Sequence, residues 1–155
     1  MKLFYDNNGE AYRIEEEDRD RVGPSFHLRI HASHTQSSWI GFANFLWEDK
    51  TTLKLADIRT SENAIIHFRR FRFLGVFSPV RREDRNCQRL GLGTQLLKHS
   101  LERVKALGVK RVWGNITADD QQKNPKLPEW YESFGFDVKL SEADSGDFAT
   151  IDLNF

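Results

Sequence analysis

The sequence predicts one α/β domain of the α+β type spanning residues 1–155, with a β-rich first half. Three observations carry this. Apolar and polar residues alternate through much of the first half, the hydrophobic period lengthens to that of a helix at Leu92, and no linker, repeat or low-complexity segment interrupts the chain. A chain of 155 residues, 39% hydrophobic and 30% charged, is long enough for one core of an ordinary soluble protein. Its 12 phenylalanines and 4 tryptophans add bulk to that core. The charge balances at 23 basic and 23 acidic residues, which argues against a dedicated nucleic-acid binder. Cys87 stands alone, so no intrachain disulfide forms and a reducing compartment is indicated. Met1 to Glu17 has no apolar signal core, and no apolar run approaches the ~18 residues of a membrane span. A cytoplasmic protein with no membrane partner is therefore expected.

In chain order, Lys2 to Tyr5 and Ala11 to Ile14 flank Asn7-Asn8-Gly9, a strong hairpin-turn signal. The mixed charge run Glu15 to Arg21 reads as a solvated connection. Phe26 to Ile30 alternates as a half-buried strand. Ile40 to Trp47 and Leu53 to Ile58 form a second hairpin turning at Glu48-Asp49-Lys50. Ala64 to Val80, rich in aromatic and β-branched residues, is a further β-like stretch that Pro79 closes.

Leu92, Leu96, Leu97, Leu101, Val104 and Leu107 then form the stripe of an amphipathic helix, ended by Gly108. Val109 to Ile116 reads as a buried strand, Thr117 to Asn124 as a polar loop, and Pro125 to Phe134 as a short helix stopped by Gly135. Phe136 to Leu140 and Phe148 to Phe155 close the chain as strands around the turn Ser141 to Asp147. Strand, helix, strand, helix, strand gives an α/β sheet on this side.

The chemistry concentrates in Gln88-Arg89-Leu90-Gly91-Leu92-Gly93-Thr94, ahead of the amphipathic helix. Glycines allow the backbone to turn tightly and approach a ligand. Successive amides then converge on an anion, and the helix directs its positive end to the same place, as a pyrophosphate requires. Arg81, Arg82, Arg85 and Arg89 lie just upstream. Taken alone, Gly-x-Gly is more often a plain tight turn. It lacks the third glycine and later acid of the dinucleotide fingerprint, and no Gly-Lys-Ser/Thr makes it a P-loop.

Gln88-x-x-Gly91-x-Gly93 resembles the pyrophosphate-binding pattern of the GNAT acetyltransferase superfamily, Gln/Arg-x-x-Gly-x-Gly/Ala. Further on, Asn124-x-x-Leu127-x-x-Trp130-Tyr131-x-x-x-Gly135-Phe136 is similar to its second signature, Asn-x-x-Ala-x-x-Phe-Tyr-x-x-x-Gly-Phe. The resemblance covers Phe71 to Phe136, and Phe148 to Phe155 fits the last strand. Leu127 and Trp130 depart from the pattern, as does a longer link between Val76 and Gln88. The N-terminus reads as hairpins where the superfamily has two helices walling the acceptor site.

The resemblance implies a mixed, largely antiparallel central sheet with the coenzyme helix packed on it. It implies an N-acetyltransferase moving an acetyl group from acetyl-CoA to a primary amine, by direct attack in a ternary complex and without a metal. Gln88, Arg89, Leu90, Gly91, Leu92, Gly93, Thr94 and Asn124 would bind the coenzyme. The pantetheine would lie between two splayed parallel strands, one ending near Val76 to Val80 and the other Val112 to Ile116. Tyr131 would protonate the departing thiolate, although a tyrosine on a short amphipathic helix is commonly a core residue. Asp57, Asp119 and Asp120 are candidates for a base, each more often a solvated carboxylate. His27, His31 and His34 have metal-like spacing but no further ligands close by, and Cys87 has no partner that would make it a nucleophile.

Two other readings stand beside this one. The first is an acyl-CoA-binding or sensor module without catalysis. The second is a nucleic-acid face built from Arg69, Arg70, Arg72, Arg81, Arg82, Arg85 and Arg89, interleaved with Phe68, Phe71 and Phe73. The acceptor is a small-molecule or protein amine, and a homodimer is compatible with the sequence.

Overall fold

The computed structural model describes residues 2–6, 9–17, 25–32, 39–61, 64–68, 81–87, 89–142 and 146–155. Its strands and helices are β1 (Lys2–Tyr5), β2 (Ala11–Glu17), β3 (Ser25–Ala32), β4 (Gly41–Trp47), β5 (Thr52–Thr60), β6 (Ala64–Phe68) and β7 (Arg81–Arg85), then α1 (Leu92–Ala106), β8 (Arg111–Thr117), α2 (Ala118–Lys123), α3 (Leu127–Glu132), β9 (Asp137–Leu140) and β10 (Asp147–Asn154). Eight strands form one mixed, mostly antiparallel sheet in the order β1-β2-β3-β4-β5-β8-β10-β9, and β6 pairs with β7 apart from it. The chain divides into two compact units. The first comprises Met1–Arg21, His27–Ala43 and Asp57–Ser100; the second comprises Val22–Phe26, Asn44–Ala56 and Leu101–Phe155.

In the first unit, β1 and β2 form the expected hairpin, with Tyr5 opposite Ala11. Gly9 takes the left-handed φ of 80° that the turn needs. Asn7 and Asn8 lie outside the described residues. Buried Asp6 accepts hydrogen bonds from the Glu10 amide at 2.9 Å and the Tyr12 hydroxyl at 3.1 Å, fixing the turn from inside. The charge run is not wholly a connection, because β2 continues to Glu17. Its acids pair across to β3, Glu15 opposite Arg29 and Glu17 opposite His27. Alternation sends Leu28, Ile30 and Ala32 of β3 into the core.

The β-like stretch from Ala64 ends, as β6, at Phe68. Its partner is the arginine-rich segment Arg81–Arg85, with Phe68 opposite Arg81 and Ala64 opposite Arg85. Residues 69–80, Pro79 included, lie outside the described residues.

In the second unit, Asp49 closes the β4–β5 turn. Its carboxylate accepts from the Thr51 amide at 2.6 Å and the Thr51 hydroxyl at 3.0 Å. The Thr51 amide, foremost, holds the Asp49 carboxyl below its ordinary pKa. β5 runs parallel to β8, from Thr52 opposite Arg111 to Leu55 opposite Gly114. This corrects the expectation that the strand ending near Val80 is the parallel partner. Aromatic density marked that stretch, but strand pairing is a non-local choice that composition does not reveal. On the far edge, β10 pairs with both β8 and β9.

The helix α1 ends as its glycine predicts. Gly108, at φ 85°, donates to the Lys105 carbonyl at 3.0 Å, and Val109 donates to that of Val104 at 3.1 Å, the double closure of a Schellman motif. The loop expected at Thr117 to Asn124 is instead mostly the helix α2. Thr117 Oγ1 accepts from the Asp120 amide at 3.1 Å, and Asp120 accepts in return from the Thr117 amide. This capping box starts a helix with no buried residue, so no hydrophobic period could reveal it.

Gly114 of β8 leaves no room for a side chain beside β5. A Cβ added there would stand 2.8 Å from the Leu55 carbonyl oxygen and 3.5 Å from the Ile151 side chain. Backbone cannot yield as a side-chain tip does, so Gly114→Ala must force the pair apart. We expect it to destabilise the fold by about 1–3 kcal/mol, the usual cost of overpacking, read as a lower Tm. An unchanged Tm would show that the strands separate freely.

Candidate coenzyme and acetyl-transfer site

The glycine turn lies in the first unit, and backbone bonds place it directly after β5. Ser61, just past that strand, donates to the Ile40 carbonyl at 2.7 Å, and buried Cys87 donates to the Ser61 carbonyl at 3.1 Å. The chain entering β6 and the chain leaving β7 are thereby joined, so this strand pair loops out of the crossover between β5 and the glycine turn. The burial of Cys87 gives it a structural place.

Arg89 has φ 57°, the one positive value on a non-glycine among the described residues, and Gly91 follows at 79°. Left-handed backbone on a residue with a Cβ costs about 1–2 kcal/mol and is held here by the turn. Leu92 is 1% exposed and pins the helix start to the core, while Leu90 and Gly93 are half-buried and Thr94 is exposed. The first helical bond runs from the Gln95 amide to the Gly91 carbonyl at 3.1 Å. Amides of a first helical turn point out of the helix end, and Leu92, Gly93 and Thr94 supply them here. No acidic residue occupies that turn, so the helix brings no anion of its own. A Cβ on Gly93 would meet nothing within 4 Å. Gln88 lies outside the described residues.

Asn124 and Tyr131 lie in the second unit. Exposed Asn124 caps α2, donating to the Asp120 carbonyl at 2.9 Å, and its own carbonyl accepts from Leu127 at 3.0 Å. Its backbone thus makes the corner between α2 and α3. Tyr131 is 5% exposed and meets Trp130 and Phe136 edge-to-face, at 4.8 and 5.4 Å between ring centres. Gly135, at φ 89°, turns the chain so that Phe136 donates back to the Tyr131 carbonyl at 3.3 Å. This explains the spacing of the second motif, since α3, the glycine turn and Phe136 together fix the tyrosine ring.

The parallel ladder stops at Leu55 and Gly114, whereas β8 continues to Thr117 and keeps pairing with β10 through Asn115 and Ile116. Among the described residues, the side of Asn115–Thr117 away from β10 is not part of the β5 ladder. Asn115, which no motif singles out, donates its side-chain amide to Asp147 at 2.7 Å.

The candidate bases have other partners. Asp57 pairs with Arg59 at 3.3 Å, Asp119 with Lys123 at 2.6 Å, and Asp120 belongs to the capping box. His27 stacks on Phe42 at 5.7 Å, His31 lies 3.8 Å from Glu15, and His34 lies outside the described residues. Among the described residues no three His, Cys, Asp or Glu side chains gather as a metal site. Of the arginine face, 69, 70 and 72 lie outside the described residues, and 81, 82 and 85 sit on β7. No described helix is long and apolar enough to cross a membrane.

The Acetyltransferase (GNAT) family model matches residues 2–136, and the chain belongs to this family. No curated protein matches the sequence. Among solved structures, the chain is similar to a GNAT family acetyltransferase from Elizabethkingia anophelis with acetyl-CoA bound, at 12% identity and TM-score 0.57, covering 93% of this chain and 98% of that one. It is similar to the IAA acetyltransferase of Bacillus cereus at 14% identity and TM-score 0.58, covering 93% and 99%. It is also similar to the PaiA N-acetyltransferase of Thermoplasma acidophilum in complex with coenzyme A, at 14% identity and TM-score 0.53, covering 85% of this chain and 62% of that one.

Because the Cβ position of Gly93 is open, Gly93→Val should leave Tm nearly unchanged while weakening acetyl-CoA binding at least tenfold in calorimetry. Equal affinity in the folded variant would remove this turn from the binding site.

Proposed function

We propose that the protein, acting as one domain over 1–155, transfers an acetyl group from acetyl-CoA to a primary amine. One observation carries this beyond family membership. The β5–β8 ladder ends at Gly114 while β8 runs on, which leaves strand edge for an extended acyl-pantetheine arm to pair with. Leu92, Gly93 and Thr94 would hold the pyrophosphate through backbone amides, with Gln88, Arg89, Leu90 and Gly91 completing the coenzyme-binding segment and Asn124 meeting the pantetheine.

The amine lone pair forms the new C–N bond at the thioester carbon, and the C–S bond breaks with its electron pair on sulfur. Tyr131 gives its hydroxyl proton to that thiolate, the proton shed by nitrogen goes to water, and the phenolate is reprotonated from solvent. A phenol with an ordinary pKa near 10 holds its proton at neutral pH and matches a thiol in strength. Holding the two reactants together contributes up to about 7–11 kcal/mol to such a reaction, far more than any single proton transfer.

The test is a screen of amines with coenzyme A release as the readout, followed by Tyr131→Phe. We expect kcat to fall by about tenfold or more, with acetyl-CoA affinity and Tm held. A steady kcat would remove Tyr131 from the chemistry, and a fall in both kcat and Tm would make it a core residue. Acetyl-CoA binding with no turnover on any amine would favour a non-catalytic acyl-CoA-binding module.

A further inference from the structure

The β1–β2 hairpin and the first turns of α1 leave between them a cavity of about 180 Å³, lined by Phe4, Ile14, Gln95, Lys98 and His99. All five residues belong to the first unit.

Two periods build its walls. Strand alternation turns Phe4 and Ile14 to the buried side of the hairpin, where they are 8% and 2% exposed. On the helix, Gln95, Lys98 and His99 stand at i, i+3 and i+4 and so share one side, beside buried Leu92 and Leu96.

The two walls differ in chemistry. The strand wall is carbon only: an isoleucine, and an aromatic ring that stacks on Tyr12 at 5.8 Å. The helix wall carries an ammonium, a carboxamide and an imidazole, and no acid is among the lining residues. Gln95 and Lys98 are exposed, and among the described residues neither side chain has a hydrogen-bond or ion-pair partner. Asp6, just past β1, faces its own turn, where its oxygens accept from the Glu10 amide and the Tyr12 hydroxyl.

Size narrows the occupant. An apolar cavity of roughly 150 Å³ holds a benzene-sized molecule, so this one admits a ring or chain of about six carbons. It is smaller than the roughly 300–1,000 Å³ pockets of larger ligands, which excludes a nucleotide or a coenzyme.

We propose that this cavity binds a small monocarboxylic acid. Its carbon body lies against Phe4 and Ile14, and its carboxylate meets the Lys98 ammonium and the Gln95 amide at the rim. A carboxylate only accepts and both of these groups donate, in bonds that charge strengthens. Phosphate has no carbon body and would leave the apolar wall wet. A neutral molecule of the same shape would leave Lys98 without its counter-charge. None of the five residues is part of the coenzyme segment 88–94, so the site stands apart from the acetyl-transfer reading. It is nevertheless close to that segment, because Gln95 follows Thr94 and its amide bonds to the Gly91 carbonyl at 3.1 Å.

Benzoate is the probe, with benzyl alcohol as its uncharged counterpart and acetate as a carboxylate without the body. Titrated into the whole protein, benzoate should shift the side-chain amide resonance of Gln95 and the methyl resonances of Ile14 saturably, with a Kd of about 1 mM or tighter. Benzyl alcohol and acetate should each bind about tenfold more weakly or less. Lys98→Gln, at an exposed helix position, should weaken benzoate about tenfold with Tm held, and Lys98→Arg should keep the affinity. Gln95→Phe, which fills the cavity from its rim, should remove the Ile14 shifts. Benzoate binding no more tightly than benzyl alcohol, or with wild-type affinity in Lys98→Gln, would overturn the proposal. Shifts confined to Leu92, Gly93 and Thr94 would also overturn it, since they would put benzoate at the glycine turn. None of these readouts involves amine turnover, so they decide this site whether or not the acetyl-transfer reading holds.

Discussion

The parallel pairing of β5 with β8 is the constraint on which the rest of the structure depends. Parallel neighbours cannot be joined by a tight turn, so the chain between them must make a long crossover. Here that crossover holds the β6–β7 strand pair, the glycine turn and α1. Ligands of sheets with parallel strands gather outside the carboxyl ends of those strands, and the glycine turn follows the carboxyl end of β5. The same pairing carries its own limit. Thr51 accepts from the Lys110 and Arg111 amides at 2.8 and 3.2 Å at one end, and the ladder stops at the tight Leu55–Gly114 contact at the other.

An inserted strand pair could have displaced the turn from the strand it should follow. It does not, because the Cys87 amide bonds to Ser61, so the added length leaves the crossover and returns to the same point. Downstream, the doubly bonded stop at Gly108 lets β8 begin three residues later, at Arg111. The capping box of Thr117 and Asp120 turns the end of β8 directly into α2. Short connections of this kind leave the second unit little freedom in where Asn124 and Tyr131 fall.

Much of this was legible in the sequence where one face of an element is buried. The stripe from Leu92 to Val104 becomes the buried side of α1, and the alternation of Phe26 to Ile30 becomes the buried side of β3. Elements whose sequence shows no apolar period were missed. α2 has no buried residue, and β7, Arg-Arg-Glu-Asp-Arg, has no apolar alternation. The parallel partner of β8 was misassigned for a different reason: a local pattern marks a strand but does not name its neighbour. In the candidate site, the glycines and Tyr131 stood out by spacing, whereas Asn115 carries no motif.

Hydrogen exchange of the backbone amides, with and without acetyl-CoA, tests the central claim most directly. Acetyl-CoA should slow exchange at Leu92, Gly93 and Thr94 and along Asn115–Thr117 of β8, and leave β1 and β2 unchanged. Protection absent from both segments, or confined to other strands, would contradict the account.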